Sequence, residues 1–185
     1  MTTEVTVTLT VNGERTTRRV EARRHLIDFL RLDLGLMGAH AGCEHGFCGA
    51  CTVRVDGAVV RGCLVLVAAL DGTQVETIEG VSDTGEIRDL QEAFIARNAA
   101  QCGYCTPGML LAAADLLKQN TAPTREEIRE HLSGNYCRCT GYHAIVDAVA
   151  TVAARRQSGV GGRASEKGDL TTVDARPPTA DRLER

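Results

Sequence analysis

The eight cysteines are the residues of this chain whose type and spacing could do chemistry, and they fall into two sets of four. The first set has the spacing C-x4-C-x2-C-x11-C and the second has C-x2-C-x31-C-x-C; their members are Cys43, Cys48, Cys51 and Cys63, then Cys102, Cys105, Cys137 and Cys139. Four thiolates hold a [2Fe–2S] cluster, and C-x4-C-x2-C followed by a distant cysteine is the plant-type spacing. The spacing therefore predicts two iron–sulfur sites that together use every thiol of the chain.

Three other uses of the thiols fit the sequence less well. Disulfides suit short exported chains, whereas the N-terminus from Met1 to Val5 has no basic stretch followed by an apolar one. Structural zinc sites commonly pair two short C-x-x-C knuckles, which neither the x4 spacing nor the Cys137-x-Cys139 pair matches. Unligated core cysteines would be an odd occupant of two dense, glycine-flanked sets. Iron–sulfur ligation is favoured, with disulfides, zinc and core packing as the alternatives.

The first half of the chain must position the first set of cysteines. A period-two strand, Glu4 to Val11, meets Asn12-Gly13, and a second hairpin turns at Asp56-Gly57 before Cys63; both dipeptides are strong hairpin signals. A helical stripe runs from His25 to Leu34 and is stopped by Gly35. The remaining strands are expected at 15–20, 52–55, 58–63 and 75–78. This order predicts a small mixed sheet packed on one helix, a β-grasp, ferredoxin-like domain over residues 1–80.

The second half has a helical pattern and carries the second set of cysteines in two loops. Apolar residues recur at helical spacing from Ile87 to about Asn98, and Pro107 opens a helix that continues to Gln119. Thr124 to Glu127 is typical of a capping box for a short helix to Leu132, and a fourth helix is expected from Tyr142 to Ala154. The sequence thus predicts a four-helix domain over residues 81–155 and a polar tail, disordered or held by a partner, over 156–185. The overall class is α+β.

Composition narrows the possible functions. The formal net charge is −3, aromatic residues are 3% and Trp is absent, so neither electrostatics nor base stacking favours nucleic-acid binding. No apolar stretch is long enough to span a membrane, and no Gly-rich dinucleotide loop follows a strand. The absence of an export signal, with thiolate chemistry, predicts a cytoplasmic protein. No residue is a candidate catalytic acid, base or nucleophile.

Three motifs carry a resemblance to a known family. They are residues 42–53 (GCEHGFCGACTV), 101–108 (QCGYCTPG) and 134–142 (GNYCRCTGY). Together they resemble the iron–sulfur subunit of the molybdenum hydroxylase, or xanthine dehydrogenase, family, in its bacterial three-subunit form. The resemblance covers residues 4 to about 155, and all three motifs stand in the family's order.

The resemblance implies a role in electron transfer. In that family, the β-grasp domain holds the outer [2Fe–2S] cluster and the helical domain the inner one, beside a molybdopterin cofactor on a large subunit. Electrons pass from molybdenum through both clusters to FAD on a medium subunit, commonly within a dimer of heterotrimers. Gln101 matches a position that hydrogen-bonds the pterin, and Cys139 matches a cluster ligand that also approaches it. Glu44 and His45 depart from the family pattern, because many relatives have glycine at one of these positions.

Two questions stay open from the sequence. The chain could instead be a free two-cluster ferredoxin that shuttles electrons, although its modest charge offers little electrostatic steering toward partners. The substrate of the whole enzyme is also undetermined: carbon monoxide, aldehydes, N-heterocycles and aromatic acyl-CoA thioesters are all acted on by such three-part enzymes. Substrate chemistry is expected on a partner chain.

Overall fold

Two tight turns organise the N-terminal sheet of the computed structural model, which describes residues 3–159. Strands β1 (Glu4–Val11) and β2 (Glu14–Glu21) pair antiparallel, as do β3 (Thr52–Val55) and β4 (Ala58–Arg61). Both central residues of each turn have positive φ, +50° and +85° at Asn12-Gly13, then +47° and +81° at Asp56-Gly57. Two-residue hairpin turns of this kind match the twist of the strands they join. Both predicted hairpins are confirmed.

The fifth strand joins the two hairpins. Strand β5 (Gln74–Glu76) lies between β1, to which it runs parallel, and β3, to which it runs antiparallel, so the order is β2-β1-β5-β3-β4. Helix α1 (Leu26–Asp28) widens into a π-helical turn at Phe29–Asp33, and a short 3-10 turn occupies Val67–Ala69. The apolar face of α1 and of the π-helical turn is fully buried against the sheet. A mixed sheet on one helix is the β-grasp architecture expected from the sequence.

The C-terminal half is helical and has its own core. Its helices are α2 (Ile78–Asp83), α3 (Arg88–Ala96), α4 (Thr106–Gln119), α5 (Arg125–Leu132) and α6 (His143–Gln157). Their buried aliphatic residues form a cluster separate from that beneath the sheet. The predicted capping box is present, since Thr124 and Glu127 each accept a hydrogen bond from the other's backbone N–H. Four of these helices were expected, and α2 was not.

Helix α2 replaces the end of a predicted strand. The strand expected at 75–78 stops at Glu76 because a distant residue redirects the chain. The Asn12 side chain accepts a hydrogen bond from Thr77 N at 2.8 Å and donates one to Thr77 Oγ1 at 2.9 Å. Thr77 then begins α2. Local sequence carries no sign of this contact between residues far apart in the chain.

The last helix extends further than expected. Helix α6 continues to Gln157, and the Arg156 guanidinium makes two hydrogen bonds to the Asp89 carboxylate, at 2.7 and 2.9 Å. The first residues of the predicted tail are therefore helical, and its remainder from 160 onward lies outside the described residues. Within residues 3–159, no helix is both long and apolar enough to cross a membrane.

Candidate metal centres

The first set of cysteines lies in a loop with unusual backbone conformation. Glu44, Gly46 and Gly49 have φ of +59°, +87° and +73°, so the chain from Cys43 to Cys51 curls repeatedly through the left-handed region. This curl points Cys48 N toward Cys43 Sγ, at 3.4 Å. The Glu44 φ value explains why glycine would be suited to that position. The loop therefore turns a backbone N–H toward a cysteine sulfur at this contact.

Close packing holds this loop in place. A Cβ atom on Gly42 would lie 2.9 Å from Cys48 Sγ, and one on Gly46 would lie 2.5 Å from the Leu64 side chain. Real Cβ contacts are longer than this, so side chains at these positions would displace the loop or its neighbour. Gly42 therefore lets the backbone approach the Cys48 sulfur closely, and Gly46 lets the loop pack against Leu64.

The second hairpin brings Cys63 to the loop. Beyond β4, Gly62 N donates to Cys51 O at 3.0 Å, which places Cys63 beside Cys51, and both side chains are buried. Burial raises the pKa of the Cys51 thiol to about 11, and the nearby Cys63 and Cys48 sulfur atoms act in the same direction. In contrast, the Cys48 N–H lowers the pKa of Cys43 to about 6. The four outer cysteines thus meet in one place, where four thiolates would repel one another without a cation.

The second set of cysteines meets at the ends of two helices. Cys105 is the N-cap residue of α4, and Cys137 and Cys139 lie in the loop before α6. Burial raises the pKa of Cys105 to about 12, followed by contributions from the neighbouring Cys137 and Cys102 thiols. A hydrogen bond with the Cys102 thiol is the largest influence that raises the pKa of Cys139. All four predicted inner ligands are therefore neighbours in the folded chain.

The thiols approach one another in pairs. The pairs are Cys43 with Cys48, Cys51 with Cys63, Cys102 with Cys139, and Cys105 with Cys137. In the part of the chain that the structure describes, no group of three or more His, Cys, Asp or Glu side chains is placed to hold a single metal ion. A [2Fe–2S] cluster with four protein thiolates divides them two to each iron. The paired arrangement fits that cluster better than it fits one zinc ion.

A buried hydroxyl beside the inner set also fits a bound group. Thr106 Oγ1 is the one buried side-chain polar atom in the described residues that lacks a hydrogen-bond partner, and Thr106 directly follows Cys105. Buried hydroxyls are normally paired, so an orphan at this position is consistent with an acceptor that belongs to a bound group. The donor set and the orphan together fit a cluster at the inner site.

The two sites differ in exposure. Cys51 and Cys63 are buried at the outer site, whereas Cys102 and Cys139 are exposed at the inner one. Gln101, which precedes Cys102, is exposed as well. The inner set therefore opens to the surface on the side where Gln101 lies.

The contact that joins the two sites was not foreseen from the sequence. Asn135 is only 2% exposed, and its Nδ2 donates to Gly49 O at 3.1 Å and to Thr52 Oγ1 at 3.3 Å. Its Oδ1 accepts a hydrogen bond from Arg61 Nη2 at 3.2 Å. The signal available in the sequence is the polar Asn between Gly134 and Tyr136 in the 134–142 motif. This residue locks the inner loop onto the outer one.

Three further contacts connect the loops that carry the two sets of cysteines. Tyr136 N donates to Cys48 O at 2.8 Å, which joins a neighbour of Cys137 directly to an outer cysteine. On the other side, the His40 and Tyr104 rings stack with their centroids 4.5 Å apart, and Tyr104 Oη donates to Ala41 O at 2.6 Å. The two sites are therefore held at a fixed separation by backbone and side-chain contacts.

Comparison with known proteins agrees with this geometry. A "2Fe-2S iron-sulfur cluster binding domain" model matches residues 9–78, and a "[2Fe-2S] binding domain" model matches residues 77–150. The chain is 54% identical over 145 residues to the nicotine 6-hydroxylase small subunit of Paenarthrobacter nicotinovorans, covering 78% of this chain and 87% of that one. It is 45% identical over 151 residues to the caffeine dehydrogenase subunit gamma of Pseudomonas sp. (strain CBB1), with coverages of 79% and 89%.

A solved structure shows the same architecture. The match is to quinoline 2-oxidoreductase from Pseudomonas putida 86, with a TM-score of 0.78, 44% identity, and coverage of 85% of this chain and 98% of that chain. The two domain matches support one [2Fe–2S] cluster in each half, as predicted. These identities extend over most of this chain and most of each matched chain. The chain therefore belongs to the iron–sulfur small subunits of the molybdenum hydroxylase, or xanthine dehydrogenase, family.

Proposed function

We propose that this chain conducts electrons, one at a time, between a molybdenum-containing large subunit and an FAD-binding medium subunit. The observation that carries the proposal is the hydrogen bond from Tyr136 N to Cys48 O at 2.8 Å. From Cys48 it leads, through one hydrogen bond and one residue, to Cys137. Each cluster, when bound, accepts and releases one electron, and this short connection lets the protein pass that electron between the two sites.

Each set of four cysteines is assigned as the ligands of one iron–sulfur cluster. The outer cluster is assigned to Cys43, Cys48, Cys51 and Cys63 in a domain spanning residues 1–80, and the inner one to Cys102, Cys105, Cys137 and Cys139 in a domain spanning 81–155. Support comes from the pairing of the thiols and from the two separate hydrophobic cores.

The exposed residues at each site suggest which partner it faces. At the inner site, exposed Gln101 and Cys139 are assigned to contact the pterin of the molybdenum cofactor. At the outer site, Phe47 and Leu64 are 64% and 61% exposed, which is unusual for such large apolar side chains. We assign them to the contact with the flavin subunit.

These surfaces favour a stable complex over a free electron shuttle. Tyr104 and Tyr136 near the inner site are 47% and 55% exposed, so apolar or aromatic surface flanks both ends of the electron path. A shuttle is expected to present small, polar contact faces, whereas permanent subunits bury larger apolar ones. The relatives named small and gamma subunits also come from multi-subunit enzymes. We propose that the assembly is a dimer of heterotrimers. We place it in the cytoplasm because the cysteines of this chain require a reducing compartment.

The substrate class proposed for the whole enzyme is an N-heterocycle. Three relatives are named for nicotine, caffeine and nicotinate, and the matched solved structure for quinoline. Hydroxylation of such a ring with water as the oxygen source replaces C–H by C–OH and releases two protons and two electrons. The two electrons leave through this chain in successive one-electron steps.

The test is to purify the complex with its native partner chains and to analyse iron, molybdenum and flavin. We expect about four irons per copy of this chain, two for each [2Fe–2S] cluster. Anaerobic addition of an N-heterocyclic substrate should bleach the visible absorbance of the clusters. Cys48→Ser and Cys102→Ser should each lower the iron content to about half. Ala122 is exposed and remote from both cysteine sets, so the control substitution Ala122→Ser should leave the iron content unchanged.

Three results would contradict parts of the proposal. Zinc without iron would exclude the cluster assignment, and only two irons in the unaltered chain would exclude the second site. A fully loaded chain that purifies alone and reduces soluble acceptors without partners would favour the free ferredoxin.

A further inference from the structure

The loop that carries Cys137 contains a threonine hydroxyl directed at a cysteine sulfur. Thr140 Oγ1 donates to Cys137 Sγ at 3.1 Å. The same oxygen accepts a hydrogen bond from Tyr142 N at 3.2 Å. A hydroxyl has one proton to donate. The contact with Tyr142 N uses only a lone pair of the Thr140 oxygen, so the hydroxyl proton remains available to be donated to the Cys137 sulfur.

Tyr142 holds this arrangement from both ends. Its φ of +67°, after +62° at Gly141, turns the chain so that Tyr142 N faces back toward Thr140. Its phenol oxygen accepts a hydrogen bond from Cys137 N at 2.9 Å and donates to Asn135 O at 3.3 Å. Cys137 N is therefore engaged by the phenol, and the side-chain hydroxyl that reaches its sulfur is that of Thr140, beside the backbone N–H groups of Thr140 and Cys139. Packing of Tyr142 against the helical core keeps the brace in place.

The outer site has a different donor. There, the backbone N–H of Cys48 donates to Cys43 Sγ at 3.4 Å. The inner contact is shorter and comes from a side chain. A side-chain donor can be removed by substitution without changing the backbone, so the effect of this hydrogen bond at the inner site can be tested by itself.

We propose that Thr140 raises the reduction potential of the inner cluster through its hydrogen bond to Cys137, with Tyr142 as the brace that aims it. Hydrogen bonds to cluster sulfur atoms are one of the protein's means of setting this potential. Reduction adds negative charge to the cluster and its thiolates, and a donor on Cys137 stabilises the added charge. Thr140 is thus a tuning residue. The inference rests on the proposed role of Cys137 as an iron ligand.

The experiment compares Thr140→Val with Thr140→Ser in the assembled complex, using a redox titration followed by electron paramagnetic resonance. The signal of the inner cluster is identified as the one that survives in Cys48→Ser. Removal of the hydroxyl in Thr140→Val should shift the reduction equilibrium of the inner cluster about tenfold toward the oxidised form, about 59 mV for one electron. The outer cluster should not shift, and Thr140→Ser should retain the unaltered potential.

Matched controls separate tuning from structural damage. Thr151→Val removes a hydroxyl that bonds to Asp147 O on the same domain, and it should leave both potentials unchanged. If Thr140→Val fails to load iron, Thr140→Ala provides a smaller replacement with the same expected shift. An unchanged inner potential in a fully loaded Thr140→Val or Thr140→Ala variant would overturn this inference alone. Absence of iron from the unaltered complex would instead overturn the proposed function.

Discussion

Asn135 offers the sharpest test of how the two cluster-binding loops are held together. Replacement by alanine removes two donated hydrogen bonds, to Gly49 O and Thr52 Oγ1, and one accepted from Arg61. A net hydrogen bond contributes about 1 kcal/mol. Gly49 O retains the Thr52 hydroxyl at 2.6 Å, and Arg61 retains Gly134 O at 2.9 Å, so part of the loss is compensated. We expect Asn135→Ala to weaken docking of the loops by about 2 kcal/mol, roughly 30-fold in the opening equilibrium.

The assay is the rate at which the assembled complex loses iron to a chelator. Where local opening limits access, the rate follows the population of the open form, so Asn135→Ala should release iron up to about 30-fold faster. Gln119→Ala is the matched control, because it removes an exposed amide with a single surface hydrogen bond to Asp115. Its release rate should equal that of the unaltered complex.

An isosteric variant distinguishes lost hydrogen bonds from a lost side chain. Asn135→Asp fills the same space, but its carboxylate faces Gly49 O and cannot donate to it. We expect it to release iron at least as fast as Asn135→Ala, since two acceptors would then oppose each other in a buried site. Normal iron retention in Asn135→Asp with rapid loss in Asn135→Ala would refute the hydrogen-bond argument and leave a packing role. Normal retention in both would refute the lock altogether.

Four further predictions concern Gly49, the Arg54–Glu86 pair and Glu44. Gly49→Ala should impair iron loading, because the added Cβ would lie 2.6 Å from two atoms of the inner loop. Gly13→Ala is the control: Gly13 has a similarly positive φ and open surroundings, so this variant should contain the normal amount of iron. Glu86→Ala should destabilise the chain by about 3 kcal/mol, since it leaves the buried Arg54 guanidinium without its two hydrogen bonds, and Arg54→Met should cost less in denaturant unfolding. Hydrogen bonding to Arg54 holds the pKa of Glu86 below its usual value. The stability that this pair contributes is therefore present at neutral pH and is lost as the pH falls below about 4.5. Glu86→Ala should flatten the acid limb of a stability–pH curve, and an unchanged limb would contradict this. Glu44→Gly should raise Tm by about 1–3 °C by relieving the left-handed φ of +59°, and a lower Tm would show that the Glu44 side chain contributes more than its strain costs.

Features set by neighbouring residues were predictable from the sequence. Asn12-Gly13 and Asp56-Gly57 form the expected turns because both positions of each turn need positive φ, which these residue types tolerate. The capping box at Thr124 forms because its partners lie three residues apart. Helix α4 begins beside Pro107 for a similarly local reason. In each case the determining interaction lies within a few residues of the chain.

Features that depend on distant residues were not predictable. Helix α2 begins at Thr77 because Asn12 bonds to it across 65 positions of sequence. Buried Arg54 pairs with Glu86 from the other half of the chain. The π-helical turn at Phe29–Asp33 also gave no local signal. Periodicity and turn chemistry report local preference, whereas these contacts depend on which surfaces meet after folding.

The sequence by itself determined the number of thiols, their division into four and four, and the domain type that holds each set, because spacing and hydrophobic period are local properties. Only the tertiary structure decided how the sulfur atoms pair, which of them reach the surface, and that Asn135 and Tyr136 join the two sites through Gly49 and Cys48. The physical reason is that these hydrogen bonds and burials arise between segments whose meeting is set by the packing of two separate cores.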